Sequence, residues 1–308
     1  MNKTVNQALE LWGMTGADYH LVATRENQVF KVTTNEKTFA LRLHRKNYRT
    51  AAELLSELQW MDAVAKVGIA VPAPIVSMSG DTLHIVDGIQ VDVLTWLFGT
   101  SMSEVMGASN RNTLFYKVGQ QMAQLHMASD KWSTPKGFVR CQWNRDGLLG
   151  DAPLWDRFWD NPALSPQDCE LFKHLRAKAT IDLKLIENDL DYGLIHADLV
   201  LENVLVDGDQ LQLIDFDDGG FGYRLFDLAT TLLKIQTEHD YPFLRDALIK
   251  GYISVRIIDL AALDLFITLR SATYVGWNIA RMNEDGSMAR NERFINRTRE
   301  LARIFLQH

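Results

Sequence analysis

His196-x-Asp198-x4-Asn203, followed twelve residues later by Asp215 within Ile214-Asp215-Phe216-Asp217, is the stretch of this chain whose residue types and spacing could do chemistry. Phosphoryl transfer to a hydroxyl needs these types. One carboxylate orients the hydroxyl and takes its proton. An amide and a second carboxylate on neighbouring segments offer oxygen ligands to Mg2+ beside the nucleotide phosphates. Asp198 is the expected base, and Asn203 and Asp215 are the expected metal ligands. Asp217 is a further candidate for metal or water, and His196 is expected to fix the loop. The bland alternative, an acidic loop and hairpin without catalytic use, does not account for the joint spacing.

Such residues need rigid elements to aim them. Residues 19–24, 28–34 and 38–43 alternate in short β-branched and aromatic runs with polar breaks, and 82–86 and 89–94 flank Asp87-Gly88. These runs predict an antiparallel sheet. Between them, Leu54, Leu55, Leu58, Met61 and Val64 recur at helical spacing, with Gly68 as the stop. After Gly99 the patterns are mostly helical, at 110–128, 167–187, 225–236, 243–257 and 259–282. Strand-like stretches interrupt them at 192–196, 203–206 and 211–215, and Asp207-Gly208-Asp209 marks a hairpin turn. The reading is an α+β chain: an amino-terminal β-rich lobe over 1–97 and a mainly helical lobe over 98–308.

Composition narrows the function. The 308 residues carry a net charge of −7, which argues against a general nucleic-acid binder. The acidity is concentrated: residues 189–240 hold twelve acids and two bases, whereas 25–50 hold seven bases and two acids. Two cysteines are too few for a disulfide scaffold or a cysteine-rich zinc site. The most apolar run, Val67 to Met78, contains two prolines and is far shorter than the roughly 20 residues of a membrane span. No apolar signal segment opens the chain, so the expectation is a soluble cytoplasmic protein with no membrane or nucleic-acid partner.

The stretch 194–217 resembles the catalytic and metal loops of the aminoglycoside phosphotransferase and choline kinase family, relatives of the protein kinases that include homoserine and hydroxylysine kinases. The resemblance extends to Gly119…Ala123-Gln-Leu-His126 and to Gly222-Tyr-Arg-Leu-Phe-Asp227, and covers roughly residues 15–235. It implies a bilobal protein-kinase-like fold, with ATP and Mg2+ as cofactors and a small-molecule hydroxyl as acceptor. Carried over residue by residue, it puts Arg42, in Phe39-Ala-Leu-Arg-Leu, where protein kinases have the lysine that grips the α- and β-phosphates. Glu57 on the following helix is its expected partner, with Glu53 second. Thr95, Trp96 and Leu97 would offer hinge main chain to adenine, and Asp227 would steady the catalytic loop. Three departures stand out. Arginine replaces lysine at 42, residues 24–29 contain no glycine where a Gly-rich loop would cover phosphate, and Ala197 stands where glycine is common. Thr24 and Asn27 remain possible phosphate contacts in that loop.

Two aromatic sets are candidates for acceptor binding. Trp155, Asp156, Trp159 and Asp160 read as an i, i+4 cage for a cation, and Tyr274, Trp277 and Arg281 read as pocket lining. Both also fit core packing. The expected acceptor is an amino alcohol, an amino acid or an aminoglycoside-like molecule. Two rivals are a protein serine/threonine kinase of the same fold and a catalytically silent nucleotide binder. The short interval from Asp215 to Asp227 leaves little room for a protein-kinase activation segment, and the presence of Asp198, Asn203 and Asp215 opposes silence.

Overall fold

Caps and turn residues set the element ends in the computed structural model, which describes residues 2–24, 27–107 and 110–307. Arg25 and Glu26 of the expected phosphate-covering loop lie outside the described residues. In chain order the elements are α1 (Asn2–Leu11), β1 (Asp18–Thr24), β2 (Asn27–Thr33), β3 (Thr38–His44), α2 (Ala51–Lys66), β4 (Leu83–Val86), β5 (Ile89–Thr95) and β6 (Thr100–Ser101). There follow α3 (Arg111–Lys131), β7 (Gln142–Trp143), α4 (Arg145–Leu149), α5 (Pro166–Ile186), β8 (Tyr192–Ile195), β9 (Val204–Asp207), β10 (Gln210–Leu213) and β11 (Gly220–Tyr223). The chain ends in α6 (Arg224–Ile235), α7 (Tyr241–Ile253), α8 (Leu263–Trp277) and α9 (Ser287–Phe305).

The first of two units comprises Met1–Met106, Ala128–Arg140 and Glu202–Asp217. Its main sheet is antiparallel in the order β1-β2-β3-β5-β4. Asp87 and Gly88 both take positive φ, at 51° and 72°, which the two-residue turn between β4 and β5 demands. Side chains alternate across the pleat. Phe30, Val32, Leu41, Leu43, Val91 and Val93 bury against Val5, Ala8 and Leu9 of α1. The other parity brings Arg42, His44 and Asp92 to the opposite face, where they are buried as well. Thr50 and Glu53 form a reciprocal capping box at the start of α2, and Gly68, at φ 90°, follows its end.

This unit differs from the expected 1–97 lobe. The β9–β10 hairpin belongs to it because β9 pairs with β6, Met102 donates its N–H to the Val204 carbonyl at 2.8 Å, and Leu213 donates to Ala70 at 2.9 Å. Residues 128–140 join it through Trp60, whose indole donates to Ser129 at 2.9 Å, and through Val139, whose N–H donates to Ser56 at 2.8 Å. These ties are long-range in sequence, so local patterning carries no sign of them.

The second unit comprises Gly107–Met127, Cys141–Leu201 and Asp218–His308. Its small sheet has the order β7-β11-β8. α6 and α8 are buried along most of their length. The sequence pattern did not suggest α9. That helix is rich in charge, and polar pairs tie it down: Arg299 forks onto Asp168 at 2.5 and 2.8 Å, and Thr298 bonds Ser271 at 2.8 Å. No helix among the described residues is long and apolar enough to cross a membrane.

Candidate active site

Within the first unit, strand register builds the charged centre. Arg42 and Asp92 are cross-strand partners on β3 and β5. The Arg42 guanidinium forks onto Asp92, with Nε and Nη2 each at 2.8 Å, and its Nη1 donates to Glu57 at 2.7 Å. Glu57 also accepts from Arg140 Nη1 at 3.2 Å, and His44 Nε2 lies 2.7 Å from Asp92. Burial alone would raise the Asp92 carboxyl, but the Arg42 and His44 charges outweigh it and hold it well below the usual range. Glu57 is lowered against its own burial by Arg42 and Arg140. Glu57, rather than Glu53, is therefore paired with Arg42, while Glu53 caps α2. Three of the five guanidinium N–H groups of Arg42 already face carboxylates, which leaves two for any further ligand.

The expected metal ligands lie in the same unit. The Asn203 carbonyl accepts from the Ile214 N–H at 3.0 Å, which ties the two metal-ligand segments together. Asp215 is exposed and holds φ at 67°, a left-handed conformation that costs a non-glycine residue roughly 1–2 kcal/mol. Phe216 anchors the turn edge-on to Trp60, 5.1 Å between centroids. Arg140 Nη2 donates to the Phe216 and Asp217 carbonyls at 2.9 and 2.7 Å, so one arginine braces both Glu57 and the loop after Asp215. Asp217 is 5% exposed, and neither carboxylate oxygen has a hydrogen-bond partner among the described residues. Burial and the nearby Glu57 push its carboxyl above the usual range. An orphaned buried carboxylate beside an exposed aspartate and a buried asparagine is an all-oxygen donor set that fits a hard divalent cation.

Within the second unit, a buried aspartate pins the expected catalytic loop. Asp227 accepts from the N–H groups of His196 and Ala197 at 2.9 and 2.6 Å, and from His126 Nε2 at 2.9 Å. Burial, helped by the Arg224 charge, pushes His126 down to about 4, so it is neutral at pH 7. It then donates through Nε2 and accepts at Nδ1 from the Tyr252 hydroxyl at 2.8 Å. Ala197 takes φ 64°, a left-handed conformation that glycine adopts without steric cost. Downstream, the Thr231 hydroxyl donates to the Leu199 carbonyl at 2.6 Å. Asp198, 24% exposed at its side chain, accepts from Arg270 Nη2 at 2.7 Å.

The pattern described as "Phosphotransferase enzyme family" (APH) matches residues 20–266. The chain belongs to this phosphotransferase family. It is a small-molecule kinase, one that acts on hydroxyl groups. Homoserine kinase of Brucella anthropi is 30% identical over 271 residues, 83% of this chain and 76% of that protein. Amicoumacin kinase of Bacillus subtilis (strain 168) is 25% identical over 233 residues, 74% of this chain and 66% of that protein. The structure of a microcompartment-associated aminopropanol kinase superposes with a TM-score of 0.88 at 28% identity, covering 100% of this chain and 98% of that one. An amicoumacin kinase in complex with AMP-PNP, Ca2+ and Ami shares the fold, with a TM-score of 0.80 at 19% identity over 97% of this chain and 93% of that one.

Other expected positions in this kinase are arranged differently from their sequence reading. Trp155 and Trp159 do not share a helical face: the segment is irregular there, with Asp156 at φ 65°, and only 158–160 form a short 3-10 turn. Trp159 packs edge-on to Phe158 and lies under Arg176, 4.0 Å from its ring. Asp156 caps the N–H of Arg157. Trp155, Tyr274 and Trp277 do meet, at 5.8 and 6.3 Å between ring centroids. Their faces already carry the chain's own cations: Arg270 over Trp155 and Tyr274, Lys234 over Tyr274, and Arg281 and Arg290 over Trp277. At the expected hinge, the N–H of Thr95 bonds Ala73 at 2.8 Å and that of Trp96 bonds Thr38 at 3.4 Å. Among the described residues the N–H of Leu97 makes no main-chain hydrogen bond.

Sequence reasoning missed Asp92, His44, Arg140, Arg270 and the hydrogen-bonding role of His126. The first three act through contacts 17 to 87 positions apart and leave no local pattern. Arg270 did leave one. It is a lone arginine within the apolar run Leu265-Phe-Ile-Thr-Leu-Arg-Ser-Ala-Thr-Tyr274. A charge inside such a run must be paired or useful.

Proposed function

We propose that this kinase transfers the γ-phosphoryl group of ATP, with Mg2+, to the hydroxyl of a small amine-bearing acceptor: an amino alcohol, an amino acid or an aminoglycoside-like molecule. The observation that carries the reading is the pinned loop, in which Asp227 holds the N–H groups of His196 and Ala197 and so fixes the backbone that presents Asp198. Asp198 orients the acceptor hydroxyl and takes its proton. Asn203, Asp215 and Asp217 hold the divalent cation, whose charge offsets that of the phosphates. Arg42, backed by Glu57, directs its remaining N–H groups to phosphate. Thr95, Trp96 and Leu97 border the adenine, with Leu97 the main-chain donor.

The acceptor class draws support from the relatives, which include an aminopropanol kinase and a homoserine kinase. Both names denote small hydroxyl compounds bearing an amine. Trp155, Tyr274 and Trp277 border the acceptor as ring edges rather than as a cage, because the chain's own cations cover their faces. Purified protein screened with amino alcohols, hydroxy amino acids and aminoglycosides tests the reading. Acceptor-dependent ADP release that needs a divalent cation is expected for one of these classes. Release that is indifferent to every acceptor, or to chelation of the metal, would sink it.

A further inference from the structure

We propose that Arg270 is a positioning residue for Asp198: a guanidinium clamped by aromatic rings that sets the orientation of the catalytic carboxylate. The inference rests on Asp198 being the base. Arg270 has no solvent exposure. Its guanidinium carbon lies 4.4 Å from the ring centroids of both Trp155 and Tyr274 and 5.2 Å from that of Phe226. Nη2 donates to Asp198 Oδ1 at 2.7 Å and to the Tyr274 hydroxyl at 3.0 Å. Nε and Nη1 are buried without hydrogen-bond partners among the described residues.

That arrangement is poor for stability and good for aiming. A buried guanidinium with two nitrogens unbonded pays a desolvation cost that an apolar side chain of similar volume would avoid. Its hold on Asp198 is what the residue contributes. The planar group cannot tilt between ring faces, and the tyrosine hydroxyl stops it rotating in its plane. The carboxylate bonded to its end is therefore held in one orientation. A lysine would bring charge without the planar fork. Misplacing a reacting group by about 1 Å can cost about 10²-fold in rate.

Arg270→Met, Arg270→Lys, Asp198→Asn and the double variant Arg270→Met/Asp198→Asn separate this role from a structural one. The expected results for Arg270→Met are an unchanged or higher melting temperature, ATP affinity within about twofold of wild type, and kcat lower by about 10- to 100-fold. Arg270→Lys should recover part of that loss. In the Asp198→Asn background the arginine substitution should add almost nothing, because it acts through the carboxylate. If Arg270→Met fails to fold, Arg270→Lys and Tyr274→Phe carry the test, and both should lower kcat while nucleotide affinity holds. Wild-type kcat in the folded Arg270 variants, or multiplying losses in the double variant, would overturn the proposal. If Asp198→Asn itself turns over normally, the assignment of the base fails and this inference falls with it. An inactive Asp198→Asn beside fully active Arg270 variants defeats the positioning role alone.

Discussion

Arg42 and Arg270 are both buried, yet Arg42 sits among carboxylates and Arg270 among aromatic rings. Around Arg42, in the first unit, every strong contact is ionic: Asp92, Glu57 and, through Glu57, Arg140. Around Arg270, in the second unit, one carboxylate and three ring faces share the work. Removing one partner from an ionic cluster strands a charge away from water. Removing a group from a ring clamp leaves mainly a packing change. Substitutions in the Arg42 cluster should therefore show as lost stability, and substitutions in the Arg270 clamp as lost rate.

The largest expected effect lies at the expected metal ligands of the first unit. Asp215→Ala should abolish turnover and weaken divalent-dependent nucleotide binding, read by calorimetry with and without Mg2+. Retained activity and affinity would remove Asp215 from the metal set. Next is Asp198→Asn, which should lower kcat by about 10²–10⁴ while ATP affinity holds. Single-turnover rates beside nucleotide titrations decide it, and near-normal chemistry would move suspicion to Asp217.

Asp92→Asn breaks the ionic side of the contrast directly. It leaves Arg42 and His44 facing a neutral amide in a buried site, and should cost about 3–5 kcal/mol by denaturant unfolding. A loss below 1 kcal/mol would show that the cluster is not the stabilising feature of its unit. The second unit has its own pH signature. His126 titrates at about 4 when folded, below its ordinary value near 6.5, so the unfolded chain binds more protons between those values. The stability it contributes is present above about pH 6.5 and is lost as pH falls toward 4, on the order of 1–3 kcal/mol. His126→Gln should flatten that part of the curve of melting temperature against pH, and an unchanged slope would assign it to another group. The smallest effect is expected at Ala197. Ala197→Gly relieves its left-handed φ and should raise stability by no more than about 1 kcal/mol, a gain offset in part by the freedom of glycine when unfolded.

Much of this was legible along the chain. The five strands of the first unit's main sheet, the helix between β3 and β4 and most of the later helices follow from period and turn chemistry. α9 escaped because half of its buried positions, Ser287, Asn291 and Thr298, are polar and interrupt the apolar stripe of Ile295, Leu301 and Ala302. The cage at Trp155 and Trp159 was misread because i, i+4 spacing brings side chains together only on a helix. Asp156 instead adopts a left-handed conformation.

By itself the sequence determined the order of chemical groups: carboxylate, amide and carboxylate at fixed spacing in 194–217, and an arginine on a strand followed by a helix bearing glutamates. These are local facts, since a loop or one helical turn spans each of them. Only the tertiary structure decided which glutamate meets Arg42, because Glu53 is drawn into the cap by Thr50 while Glu57 faces the strand. Only strand register put Asp92 opposite Arg42, fifty positions away. Only the packing of α8 brought Arg270 to Asp198, across seventy-two. Contacts over such separations are set by how hydrophobic faces close on one another, and the charges go where that closure leaves them.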